Sequence, residues 1–196
     1  MPHVIVIAGA NGAGKSTVAP YLLRDTLGVS EFVNADTLAQ GLSAFAPETA
    51  AISAEKIMLR RIDELAESNR DFAFETTLST RSFVPRLGKM RENGYELTLF
   101  FLWLADADLA LRRVAERDRR GGHDIPKTTI ERRYEKGLRN FFALYQPIAG
   151  NWLFYDNSEK ENLRLIAKGE SFKIEEVFQK KVWQNLKQKY AEENQR

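Results

Sequence analysis

Eight residues near the N-terminus, Gly9-Ala10-Asn11-Gly12-Ala13-Gly14-Lys15-Ser16, fit G-x-x-x-x-G-K-[ST] at every fixed position. Glycines let the backbone curl until successive N–H groups point inward, where they grip phosphate oxygens. A helix starting near Lys15 adds its positive dipole end to the same seat. Lys15 is then placed to reach the β- and γ-phosphates, and the Ser16 hydroxyl to hold Mg²⁺, with Thr17 as a second hydroxyl. Gly9, Asn11, Gly12, Ala13, Gly14, Lys15, Ser16 and Thr17 are therefore expected to bind ATP, with GTP as the alternative donor. An accidental glycine-rich turn is the competing reading; such a match arises by chance in about 1% of chains this long. The apolar run before it, Val4-Ile5-Val6-Ile7-Ala8, and the helical pattern after it supply the context that the motif requires.

Two acids stand where they can complete phosphoryl transfer. Phe32-Val33-Asn34-Ala35-Asp36 and Phe72-Ala73-Phe74-Glu75-Thr76-Thr77 each run from apolar residues into a carboxylate. Transfer to a hydroxyl needs a base or positioning group for the acceptor, and often an acid that organises Mg²⁺ and its waters. The residues alone leave open which acid does which. Asp36 has the competing reading of a helix N-cap. Glu75 has that of a structural hydrogen bond to the phosphate loop, since a buried acid needs a partner. Thr76 and Thr77 either bond substrate or cap a turn.

Arg112, Arg113, Arg117, Arg119 and Arg120 crowd the approach to Gly121-Gly122-His123. At helical spacing Arg113, Arg117 and Arg120 share one flank, while Ala107, Ala110, Leu111 and Val114 form the buried side. An arginine on the transferring phosphoryl group is worth about 10³–10⁵ in rate. The segment reads as a lid over about residues 117–127, pivoting on the glycines, with Arg117 and Arg120 as catalytic candidates. The competing reading is a solvated face paired with Glu116 and Asp118. His123 reads as structural. Arg132, Arg133, Lys136 and Arg139 line one side of the next helix, and Arg133 is the candidate to reach phosphate from there; a solvated basic face is the alternative.

The elements that must position these groups alternate along the chain. Strands are expected at His3–Ala8, Glu31–Ala35, Asp71–Glu75, Tyr95–Leu104 and Trp152–Tyr155. Helices are expected at Lys15–Leu27, Pro47–Asn69, Ser82–Asn93, Asp106–Arg119 and Pro126–Tyr145. Strands apolar on both faces, separated by helices, predict an α/β fold with a parallel sheet of about five strands covered on both sides. In such sheets ligands sit beyond the carboxyl ends of the strands, where every motif above falls. An extension over about residues 160–196 adds a short strand at Leu163–Ala167 and a helix from Ile174 to about Glu193. That helix would carry Val177, Phe178, Val182, Leu186 and Tyr190 on its apolar side. Residues 1–196 read as one domain, with no repeat or low-complexity linker.

Composition narrows the partners. Lys+Arg 29 against Asp+Glu 27 leaves +2, so no global field calls for nucleic acid or membrane. The absence of cysteine excludes disulfides, thiol catalysis and thiolate metal sites. The apolar runs at residues 4–8 and 97–105 are too short for a signal-peptide core or a bilayer span, and a cytoplasmic protein is expected.

Gly9–Thr17, Phe32–Asp36, Phe72–Ser79 and Arg120-Gly121-Gly122-His123-Asp124-Ile125-Pro126 together resemble the zeta-toxin family, over about residues 3–170. The resemblance implies a nucleotide-kinase-like P-loop fold and phosphorylation of UDP-N-acetylglucosamine. It implies a catalytic base at Asp36, ATP and Mg²⁺ on Lys15 and Ser16, substrate contacts near Glu75 and Thr76, and an antitoxin partner that obstructs the ATP site. The chain is shorter than the founding toxins, and Thr80 stands where small relatives usually have glycine. The leading expectation is an ATP-dependent small-molecule kinase. A partner-regulated ATPase switch and a polynucleotide kinase are the alternatives.

Overall fold

The computed structural model describes residues 1–119, 125–159 and 162–191, and the side chains of Asp25 and Thr26 fall outside the described set. In chain order the elements are β1 (His3–Gly9), α1 (Lys15–Pro20, widening into a looser turn over Tyr21–Thr26), β2 (Phe32–Val33), α2 (Ala35–Leu42), α3 (Pro47–Glu67), β3 (Phe72–Thr76) and α4 (Phe83–Glu92). They continue as β4 (Glu96–Trp103), α5 (Ala107–Asp118), α6 (Lys127–Asn140, widening over Phe141–Tyr145), β5 (Asn151–Asp156), β6 (Arg164–Glu170), β7 (Lys173–Val177) and α7 (Lys180–Tyr190).

One sheet runs β2-β3-β1-β4-β5-β6-β7. Its first five strands are parallel, as expected, and β6 and β7 are antiparallel additions. Val4, Val6, Ile7 and Ala8 of β1 and Phe72, Ala73 and Phe74 of β3 are fully buried, so these strands lie under cover on both faces. After β1 the chain leaves to build β2 and β3 on one side, then returns to place β4 and β5 on the other. The loop after β1 therefore sits at the topological switch point, where the strand ends diverge and leave a crevice.

In the C-terminal part the strand expected at Leu163–Ala167 is present as β6, and the segment after it departs from expectation. Ile174–Val177 is strand, not the start of a helix: it hairpins back on β6 after Ser171, which takes φ 48°. The helix begins only at Lys180 and buries Trp183, Leu186 and Tyr190, whereas Phe178 is 51% exposed. Trp183 stacks on Trp152 at 5.4 Å between ring centroids and packs edge-on against Phe154. The spacing of Val177, Phe178 and Val182 mimics a helical stripe, but pairing with β6 satisfies the backbone first. Helix α2 was not among the expected helices either: β2 stops at Val33, short of the expected Ala35, and Asp36 lies in the first turn of α2 rather than at a strand end.

Helix α6 is locked to the loop that follows β3. Asn140 Nδ2 donates to the Leu78 carbonyl at 2.7 Å, and the Tyr145 hydroxyl donates to that of Thr80 at 2.7 Å. Just before them Gly137 lies so near the loop that a Cβ there would meet the Thr77 carbonyl oxygen at 2.5 Å. Alanine in place of a mid-helix glycine ordinarily stabilises by up to about 1 kcal/mol. Here the sign inverts: Gly137→Ala is expected to destabilise by about 1–3 kcal/mol, as overpacking does. A chemical-denaturation midpoint checks this, and a gain in stability would show that helix and loop separate freely.

Candidate active site

The turn from β1 into α1 buries Lys15, which is 6% exposed. Its ammonium donates to the Ala10 carbonyl at 2.9 Å and lies 3.6 Å from Glu75 Oε1. Ser16 Oγ donates to Glu75 Oε2 at 2.8 Å, and Asn34 Nδ2 donates to the same oxygen at 2.9 Å. Glu75, at the end of β3, thus ties the phosphate loop to the start of α2. Parallel pairing sets Ile7 beside Glu75 and Ala8 beside Thr76, which brings the carboxylate to the loop.

Asn34 settles the competing reading of Asp36. Its Oδ1 accepts from the backbone N–H groups of Asp36 and Thr37 at 2.8 and 3.2 Å, so Asn34 is the N-cap of α2. Asp36 sits one residue inside the helix and is exposed. Its side chain faces a cleft of about 550 Å³ that Asn11, Lys15, Ser16, Glu75, Thr76, Thr77, Arg117 and Arg133 also line. The far wall comes from α2, α3 and α4, through Gln40, Ile52, Glu55, Met58 and Phe83. A second hollow of about 440 Å³ lies between β2, α2 and α3, lined by Glu31, Arg60, Arg61 and Glu64. Arg61 is already paired there with Glu31 at 3.1 Å and with Glu64 at 3.5 Å.

Burial drives the Lys15 ammonium below its ordinary 10.5; the negative charges of Glu75 and Asp36 oppose the shift, and Arg117 adds to it. Lys15 therefore sheds its proton at lower pH than an exposed lysine. Its attraction for phosphate is complete below that lowered value and is lost as pH rises through it. Triphosphate affinity is expected to decline on the alkaline side before pH 10.5. Lys15→Arg, whose guanidinium stays charged, should flatten that decline. Equilibrium titrations across pH measure it, and parallel profiles for the two proteins would refute the assignment.

The arginines separate into two kinds. Arg117 on α5 is exposed and reaches the cleft, and Arg133 on α6 donates to Asn11 Oδ1 at 3.3 Å. Arg113 instead donates to the Ser158 carbonyl at 2.9 Å, and Arg119 to that of Ala115 at 3.3 Å. Arg120, the other catalytic candidate of the lid, lies outside the described residues, as do Gly121, Gly122, His123 and Asp124. Thr76 Oγ1 accepts from Leu78 N at 3.1 Å and Thr77 Oγ1 pairs with Ser79 Oγ at 2.9 Å, while both residues face the cleft. They cap the turn that holds Leu78 at φ 54°.

Mg²⁺ takes oxygen donors and usually one or two protein groups beside substrate phosphates. Ser16 Oγ and the Glu75 carboxylate, 2.8 Å apart at the start of α1, are a donor set of that kind. Among the described residues no cluster of three or more His, Cys, Asp or Glu offers an all-protein metal cage.

A family model described as zeta toxin matches residues 1–163. A protein of Haemophilus influenzae is 27% identical over 130 residues, 66% of this chain and 91% of that protein. Among solved structures, the AvrRxo1-ORF1:-ORF2 complex with ATP superposes with a TM-score of 0.72 at 17% identity, covering 95% of this chain. The chain spans 63% of that protein's length. The PezAT toxin-antitoxin system of Streptococcus pneumoniae superposes at 0.65 with 15% identity, covering 98% of this chain and 87% of the other. These likenesses carry the P-loop kinase fold.

Proposed function

The chain belongs to the zeta-toxin family, and on that premise we propose that it is a phosphotransferase moving the γ-phosphate of ATP to a hydroxyl of a small acceptor. The reading is carried by one observation: the phosphate-loop residues Lys15 and Ser16 and the acid Asp36 line a single cleft. Asp36 projects from the first turn of α2, whose cap is supplied by Asn34, so the Asp36 carboxylate is not spent on capping and faces the same cleft.

The steps follow from these placements. The loop backbone and Lys15 hold the donor phosphates, and Arg117 and Arg133 stand where charge builds on the transferring group. The acceptor hydroxyl gives its proton to Asp36 as its oxygen bonds to the γ-phosphorus. The bond from phosphorus to the bridging oxygen breaks, and ADP leaves with that electron pair. Mg²⁺, held by Ser16 with Glu75 beside it, would neutralise phosphate charge. Glu75 suits holding the loop better than touching the acceptor, because Lys15, Ser16 and Asn34 already occupy it.

We extend the proposal to a nucleotide sugar such as UDP-N-acetylglucosamine as acceptor, and to an antitoxin protein as partner. PezAT is a toxin-antitoxin system, and AvrRxo1-ORF1 is likewise seen in complex with a second protein, ORF2. A cytoplasmic location accords with these substrates, and the described residues hold no helix long and apolar enough to cross a membrane. Incubation with γ-labelled ATP, Mg²⁺ and a panel of nucleotide sugars tests the acceptor. Label appearing on a sugar hydroxyl supports it. Phosphate released only to water, and faster with a protein partner, would replace the kinase by an ATPase switch.

A further inference from the structure

We infer that Asn157 is a positioning residue that aims a phosphate-loop N–H group at the donor nucleotide. The inference rests on the kinase reading above but concerns a residue outside the loop motif and outside the cleft-lining acids. Asn157 follows directly on β5, anchored there by its backbone N–H to the Trp103 carbonyl at 2.9 Å. Its Nδ2 donates to the Ala13 carbonyl at 2.8 Å. In a trans peptide the carbonyl and the following N–H point in opposite directions. Drawing the Ala13 carbonyl toward Asn157 therefore turns the Gly14 N–H the other way, into the hollow of the loop.

Gly14 makes the fit close. Its backbone takes φ 84°, and a Cβ there would stand 2.6 Å from Asn157 Nδ2. The glycine thus lets the amide approach as well as letting the loop curl.

A network fixes Asn157 in turn. The buried Asp156 carboxylate accepts from Ser158 N at 2.9 Å, from the Ser158 hydroxyl, and from Arg164 Nη2 at 3.0 Å. Ser158 Oγ accepts from Ala105 N at 2.9 Å, and the Ser158 carbonyl accepts from Arg113. The turn after β5 is therefore pinned on both sides of Asn157 by β6, by the end of β4 and by α5. This gives Arg113 of the arginine cluster its work, which is to hold the turn rather than phosphate.

Two variants with ADP as probe test the inference. Asn157→Asp is isosteric but sets a carboxylate oxygen against the Ala13 carbonyl; Asn157→Ala removes the group. ADP affinity by titration calorimetry should fall about tenfold in Asn157→Ala, the scale of one hydrogen bond aimed at a charged group, and further in Asn157→Asp. KM for ATP should rise with it, while KM for the acceptor stays at the wild-type value. ADP binding within about twofold of wild type in both variants would overturn the inference. So would a loss confined to Asn157→Ala, which would assign the effect to packing. Wild-type protein that binds no ADP would defeat the reading of the phosphate loop itself.

Discussion

Lys15→Met is expected to lower phosphoryl transfer by about 10³-fold or more, since a preorganised cation at the transferring group is withdrawn from a dry seat. The variant keeps the length and burial of the side chain and removes only the charge. The fold should tolerate it. Glu75 keeps hydrogen bonds from Ser16 and Asn34 when the ammonium leaves, so the carboxylate is not stranded. The ammonium itself is costly: with its folded pKa below 10.5, protonation favours the unfolded chain at every pH beneath that lowered value, and the penalty eases only as pH rises toward 10.5. A single-turnover assay with labelled ATP, read beside a melting curve, separates lost chemistry from lost structure. Transfer within tenfold of wild type would remove the basis for the whole site.

Asp36→Asn is expected to lower turnover by about 10²–10⁴-fold, the usual scale for a positioned general base. ADP and ATP should still bind, because Asp36 makes no hydrogen bond to the phosphate loop among the described residues and acts on Lys15 only through its charge. The contrast with its neighbour is the sharper test. Asn34→Ala removes the cap of α2 and one of the bonds to Glu75, and should cost about 1 kcal/mol of stability. Asp36→Asn forfeits the charge in the first helical turn, about 0.3–1 kcal/mol, together with its attraction for the Lys15 ammonium. Steady-state rates beside denaturation midpoints give both quantities. An Asp36→Asn protein that turns over at the wild-type rate would move the base elsewhere.

The phosphate loop was legible because its chemistry leaves few alternatives: glycines, a lysine and a hydroxyl at fixed spacing between an apolar run and a helix. Glu75 was legible for a related reason, since a polar residue closing a buried strand must face the crevice; Asp36 was read as closing a strand in the same way, but β2 ends at Val33 and the acid stands in the first turn of α2. Their division of work was not legible, because it depends on which neighbour reaches which oxygen. Asn34 carried a signal that sequence reasoning passed over, an Asn directly before a short amphipathic helix. Asn157 carried none, since its contact with Ala13 spans 144 positions in the chain. Arg113 and Arg117 look alike in sequence, and only the turn after β5 tells the buttress from the residue in the cleft. The C-terminal misreading has the same origin. Ile174, Val177 and Phe178 fit two periods over so short a run, and the partner strand decides between them.

Helix α6 touches both halves of the cleft. At its middle Arg133 meets the phosphate loop at Asn11; farther along, Gly137, Asn140 and Tyr145 grip the turn after Glu75. A single rod therefore gauges the gap across which phosphorus must travel. Gln40, Ile52 and Glu55 line the wall from α2 and α3 and make none of those bonds, so substitutions there would change what surrounds an acceptor while leaving the gauge in place.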